Sequence, residues 1–283
     1  MIDETRRNIL KTGFIGAVAG STVISGLGGL CKVKEAKAKT AEHPYGYPVG
    51  GLDVQTTRQL AYDCWYGTEL EGITHKGCAF ATFHAIISQL AELDPNGPYS
   101  EIPTQMLEWA AGGVAGYGSI CGTLNGACAA IGLICANGEA TELISKLLNW
   151  SAESNLPTTP TEYDVFKDFD IMQSIAGGHL CHMSVTNWCL ASGKAIGSDE
   201  RKERCARLAA DVAGTVIAVL NKEIGLEDTA PVKKTVCGSC HTMGTDYDAG
   251  QFTLGKMDCT ACHTDLKKVG EEGHYLSLIK KPE

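Results

Sequence analysis

Two stretches near the C-terminus carry the most specific chemistry in the chain: Cys237-Gly238-Ser239-Cys240-His241 and Cys259-Thr260-Ala261-Cys262-His263. In each, two thiols three positions apart can form thioethers with the two vinyl groups of a haem, and the adjacent imidazole is placed under the iron as an axial ligand. The competing reading is one four-cysteine zinc ribbon made of Cys237, Cys240, Cys259 and Cys262. Zinc would leave both histidines incidental, whereas haem uses all six residues. The repeat of the full motif after only 17 intervening residues therefore predicts two haem c groups and an electron carrier.

Nine of the 13 cysteines lie outside these motifs. Cys78 falls in the first turn of a helix expected from Thr74 to about Leu93, where the local dipole favours a thiolate and so suits metal ligation. Cys121, Cys128 and Cys135 recur every seven residues in a very apolar helix expected over 119–136, so they share a face. About 10.5 Å of rise separates neighbours, too far for two of them to hold one small cluster. Cys121, approached through the glycine-rich run 112–118, is the favoured ligand; Cys128 and Cys135 default to packing. The stretch Gly177-Gly178-His179-Leu180-Cys181-His182 continues to Cys189 and is dense in metal-binding side chains for a neutral core. Cys64 and Cys205 fall on two further expected helices. Reduced buried cysteines or disulfides are the structural alternative to a second metal centre.

The elements that must position these residues are mainly α-helical. Short helices are expected over 56–67 and 103–111, and an amphipathic one over Glu139–Trp150, buried through Leu143, Ile144, Leu147 and Leu148. A long one over Asp199–Lys222 is charged at its start, then apolar through Leu208, Val212, Val216, Val219 and Leu220. Pro157 and Pro160 break the chain between them, and no alternation of strands and helices supports a doubly wound sheet. The expected organisation is an export signal over 1–38, an N-terminal arm over 39–55, a helical cysteine-containing domain over 56–225 and a short dihaem c-type segment over 226–283.

Thirty-three acidic residues against 24 basic ones, with no basic stripe of interleaved aromatics, exclude a nucleic-acid partner. Arg6-Arg7 ahead of a Gly/Ala-rich run resembles a twin-arginine signal, and Ala36-Lys37-Ala38 supplies a small-x-small cleavage site. Its removal leaves 18 basic and 30 acidic residues in a periplasmic bacterial protein. Haem c is attached after translocation, so haem alone does not explain a route for folded cargo; a cofactor inserted before export does.

The haem motifs and the element Cys121-Gly122-Thr123-Leu124-Asn125-Gly126 together resemble the split-Soret cytochromes c. They also resemble a redox-active family named for four cysteines and a Cys-Gly-Ala-x-x-Gly element, from which Thr123 departs. The resemblance implies a homodimer with two haems per subunit and an iron–sulfur centre in the helical domain, a two-iron, two-sulfur unit in the most similar case. It carries the ligand pattern onto Cys78, Cys121, Cys189 and Cys205, with Cys181 the competitor for the third place and Cys64 a further alternative. It also favours imidazole as the distal haem ligand. His179 and His182 are the preferred distal pair among His43, His75, His84 and His274, with Met243 and Met257 also available.

A tail of 53 residues from Pro231 cannot cover two haems by itself, which independently calls for packing against the helical domain or a partner subunit. The function expected is electron transfer to a redox protein or a membrane-associated oxidoreductase. A haem- or iron–sulfur-dependent reductase and a structural metal-binding module are the alternatives. No acid/base pair stands out as catalytic.

Overall fold

The computed structural model describes residues 43–67, 72 and 74–227. The export signal, the six haem-motif residues Cys237, Cys240, His241, Cys259, Cys262 and His263, and the distal candidates His274, Met243 and Met257 lie outside the described residues.

The described chain is mainly helical. Helix α1 (Val54–Tyr66) starts where Asp53 accepts a hydrogen bond from the Thr56 N–H at 2.7 Å, which closes one of the open donors of the first turn. Helix α2 spans Cys78–Leu93. The helix expected over 103–111 is instead a 3-10 turn, Thr104–Leu107, followed by irregular chain. Its buried residues, Thr104, Leu107 and Ala110, recur every three positions, the period of a 3-10 face and not of an α-helix.

Helix α3 is Gly122–Ile134, shorter at both ends than the sequence suggested. Residues 119–121 are taken up by an antiparallel bridge that pairs Ile120 with Leu180. Cys121 and Cys135 consequently cap the two ends of α3, and Cys128 alone of the three lies within it. Helix α4 (Asn137–Glu153) follows directly. Two short antiparallel strands, β1 (Asn155–Leu156) and β2 (Ser174–Ile175), close the Pro157/Pro160 segment before helices α5 (Cys181–Ser192) and α6 (Asp199–Leu220).

Every residue of α6 from Glu203 to Ala218 is buried. Helices α1, α2 and α3 pack around it, which Ala209, Ala210, Ala213 and Gly214 allow by keeping the helix narrow. The main core joins Phe83, Ile86 and Ile87 of α2 and Leu124 and Ile131 of α3 to Leu147 of α4 and Leu208, Val212 and Ile217 of α6. Each such side chain contributes about 1.5–3 kcal/mol when fully buried. Among the described residues no helix is long and apolar enough to cross a membrane.

The N-terminal arm packs onto this body. The Tyr45 N–H donates to the Leu133 carbonyl at 2.9 Å, and the Tyr47 hydroxyl donates to Asn221 Oδ1 at 2.7 Å. The arm thus ties the end of α3 to the end of α6.

Candidate metal centre

The eight cysteines among the described residues are free thiols. Four of them come together: Cys78, Cys121, Cys181 and Cys205. Cys121 and Cys205 are each near enough for their charge to act on both Cys78 and Cys181. The sequence-derived set is thus brought together in three of its four members. Cys189 lies eight residues beyond Cys181 on α5, about 12 Å along the helix axis, and Cys181 stands in the neighbourhood expected for it.

Backbone geometry explains why. The bridge between residues 119–121 and 179–181 is locked by the Cys121 N–H donating to the His179 carbonyl at 2.9 Å and the Cys181 N–H donating to the Ser119 carbonyl at 2.7 Å. This register sets Cys121 and Cys181 on adjacent strands at the point where each chain enters a helix. Cys78 reaches the same place because α3 approaches α2 without side chains in the way. A Cβ on Gly122 would sit 2.1 Å from the Ala110 carbonyl oxygen and 2.8 Å from Cys78 Cβ. One on Gly126 would sit 2.3 Å from the Ala79 carbonyl oxygen. The two glycines of the Cys-Gly-x-x-x-Gly element are therefore the close-approach surface of α3.

Three of the four thiols stand at helix starts. Cys78 and Cys181 are the first residues of α2 and α5, and Cys121 precedes α3. None of these three N-termini has a side-chain cap, in contrast to α1 and to α6, where the Ser198 hydroxyl accepts from the Arg201 N–H at 3.2 Å. Helix α4 is also uncapped, but its start at Ala136 is exposed. Open N–H groups and the positive ends of helix dipoles favour thiolates. Those of Thr123 and Leu124 favour the Cys121 thiolate without forming a cap hydrogen bond. Trp65 Nε1–H donates to Cys78 Sγ at 3.3 Å.

Against these stand burial and mutual repulsion. Burial, then the neighbouring thiols, push Cys78 and Cys181 up to about 12 and raise Cys121. In the metal-free chain the Cys78 and Cys181 thiols are protonated at neutral pH, and binding a metal would release their protons. The residues fit a thiolate-bound iron unit: a soft donor set, N–H groups aimed at sulfur, and the buried Arg204 guanidinium 4.0 Å from Cys205 Sγ. Among the described residues, no three His, Cys, Asp or Glu side chains converge closely enough for a single metal ion.

The other thiols lie elsewhere. Cys64 packs with Phe80, Ala81 and Ala209, and burial raises it to about 12. Burial likewise raises Cys128 to about 11 and Cys135 upward.

The two histidines preferred as distal ligands border the thiol group but do not share a helix face. His179 is buried in the chain before α5, whereas His182 is exposed in its first turn, its N–H donating to the Gly118 carbonyl at 3.1 Å. His84 Nδ1 pairs with Thr104 Oγ1 at 2.8 Å. His75 Nδ1 pairs with Glu108, and His43 Nε2 with the Gly132 carbonyl.

Sequence reasoning did not find Arg204. The sequence places it among the charged residues that open α6; only the packing of α5 shows that it is inside. Its adjacency to Cys205, ahead of an alanine-rich helix, was the available signal.

Comparison with known proteins identifies the family. The family model described as "Putative redox-active protein (C_GCAxxG_C_C)" matches residues 77–219, a span that contains all four clustered thiols. Split-Soret cytochrome c of Desulfovibrio desulfuricans (strain ATCC 27774 / DSM 6949 / MB) is 33% identical over 276 residues, covering 91% of this chain and 95% of that protein. A solved structure described as "A novel iron centre in the split-Soret cytochrome c from Desulfovibrio desulfuricans ATCC 27774" superposes with a TM-score of 0.67 at 31% identity, covering 78% of this chain and 91% of that one. The chain belongs to the split-Soret cytochrome c family, with a helical domain of the four-cysteine redox-active type.

Proposed function

We propose that this redox protein is an exported dihaem c-type electron carrier with an additional iron–sulfur centre. Cys237 and Cys240, with His241 as axial ligand, attach one haem; Cys259 and Cys262, with His263, attach the other. Cys78, Cys121, Cys181 and Cys205 hold the iron–sulfur centre, with Cys181 in place of Cys189. A two-iron, two-sulfur unit needs four thiolates, and it spans neighbouring sulfurs that a single ion would have to draw together. When bound, the centre and the haems supply one-electron chemistry. The chain's own residues exclude water, hold the thiols at three helix starts and present N–H groups to sulfur.

His182, exposed next to Cys181, is the better placed of the two preferred distal ligands, and a haem bound there would lie beside the iron centre. Met106, Trp109, Val114 and Tyr117 are exposed along the segment leading to Cys121, an apolar surface suited to cover by haem or by a second subunit. The protein would act as a periplasmic homodimer after twin-arginine export. It would exchange electrons with a redox protein or membrane-associated oxidoreductase.

The observation that carries this reading is the convergence of four thiols on three uncapped helix starts beside a buried arginine. Iron, acid-labile sulfide and covalent haem measured on the purified full chain test it. Two haems and further iron with equimolar sulfide are expected. Haem iron alone would refute the second centre, and no haem after denaturation would refute the carrier.

A further inference from the structure

Arg204 is 1% exposed. Its Nη2 donates to Ser184 Oγ at 2.8 Å, its Nη1 lies 4.0 Å from Cys205 Sγ, and its Nε has no hydrogen-bond partner. Among the described residues no carboxylate forms an ion pair with it. Asp211, two turns along α6, feels Arg204 less than it feels its own burial and its contact with Thr158. The charge of Arg204 does act on Cys121 and Cys181, favouring their thiolates. A guanidinium stays protonated inside proteins, and burying one without a counter-ion is strongly unfavourable. Among the described residues, the groups beside it that can carry an anion, apart from the weakly coupled Asp211, are the thiols of Cys121, Cys181 and Cys205.

We infer that Arg204 is the built-in counter-charge of the iron centre and the residue that sets its reduction potential. The inference rests on the iron–sulfur reading above. Thiolates and sulfides together give the oxidised centre a net negative charge, and a single electron makes it more negative by one unit without requiring a proton. A fixed cation beside one ligand sulfur stabilises the reduced state more than the oxidised one. Arg204 is a positioning residue in this account: it touches Cys205, not a substrate.

The test is a redox titration of the full haem-loaded chain, following the iron centre by electron paramagnetic resonance and the two haems by their absorbance as internal references. Arg204→Met is expected to shift the reduction equilibrium at least about tenfold toward the oxidised form, a fall of about 59 mV for one electron, with both haem midpoints unmoved. Arg204→Lys keeps the charge and is expected to stay within about twofold of the native value. An unchanged iron-centre midpoint in Arg204→Met, or equal falls in both variants, would overturn the inference while leaving the iron–sulfur reading intact. If Arg204→Met does not retain the centre but Arg204→Lys does, charge is the requirement and the inference stands. Loss of the centre from both, with native circular dichroism, assigns Arg204 to packing and overturns it. A native chain with haem but no further iron overturns both readings.

Discussion

Arg207 and Arg204 are both buried on α6, three residues apart, yet their surroundings differ. Arg207 donates to Glu203 Oε1 at 2.7 Å and to the Phe169 carbonyl at 3.0 Å. The second oxygen of Glu203 accepts from the hydroxyls of Tyr62 and Tyr66. Tyr62 in turn accepts from the Phe166 N–H at 2.6 Å. The carboxylate and its partners form a network complete within the described chain, and it anchors α1 and the irregular 163–169 segment to α6. Arg204 faces thiols and one serine, and leaves a donor open. Burial of charge is matched by a carboxylate in the first region; in the second no carboxylate among the described residues pairs with it, and the proposed iron centre would supply the counter-charge.

The comparison predicts substitutions with opposite signatures. Cys78→Ser, Cys121→Ser or Cys205→Ser should abolish the iron centre, read as loss of non-haem iron and labile sulfide, while far-UV circular dichroism stays native. Glu203→Gln should do the reverse, lowering stability by about 3–5 kcal/mol because Arg207 is left buried without its counter-charge. Urea unfolding followed by circular dichroism measures this, and a loss below 1 kcal/mol would mean that the network is not structural.

Asp211 adds a pH test on the same helix. Burial raises its carboxyl from 3.8 to about 6, against the opposing Thr158 contact and the charges of Arg58 and Arg204. Between those values the folded chain holds the proton more tightly than the unfolded one. Its stabilising contribution is therefore fully present below about pH 4 and is lost as pH rises through 6, by about 3 kcal/mol in all. Asp211→Asn should flatten the stability profile between pH 4 and 7. A profile that keeps its slope would assign the dependence to other groups.

The smallest expected effect is at the contact that positions Cys78. Gly126→Ala forces a Cβ against the Ala79 carbonyl and should cost about 1–3 kcal/mol by overpacking, measured by thermal unfolding. Gly132→Ala, on the same helix but with open space around it, should cost nothing.

Much of this was legible in the sequence where the signal is local. Hydrophobic period and flanking residues located α1, α2, α4 and α6 to within a few residues, and Cys78 was correctly expected in a first turn. Cys121 was expected inside a helix because apolar period alone cannot register that residues 119–121 are claimed by pairing with 179–181. The same non-local bridge sets Cys181, rather than Cys189, beside Cys121: spacing within α5 says nothing about which end meets α3. Arg204 was hidden for a related reason. A charged helix start reads as solvated until the helices packed on it are known. In each case the missing information is tertiary contact between separate segments, about 60 residues apart for the bridge and 20 for Arg204 and Ser184.

The most direct test of the four-thiol assignment compares Cys181→Ala with Cys189→Ala in the purified, haem-loaded chain, measuring iron beyond the haem iron together with labile sulfide. Loss of both from Cys181→Ala and full retention in Cys189→Ala is the predicted result. Retention in Cys181→Ala with loss in Cys189→Ala would contradict it.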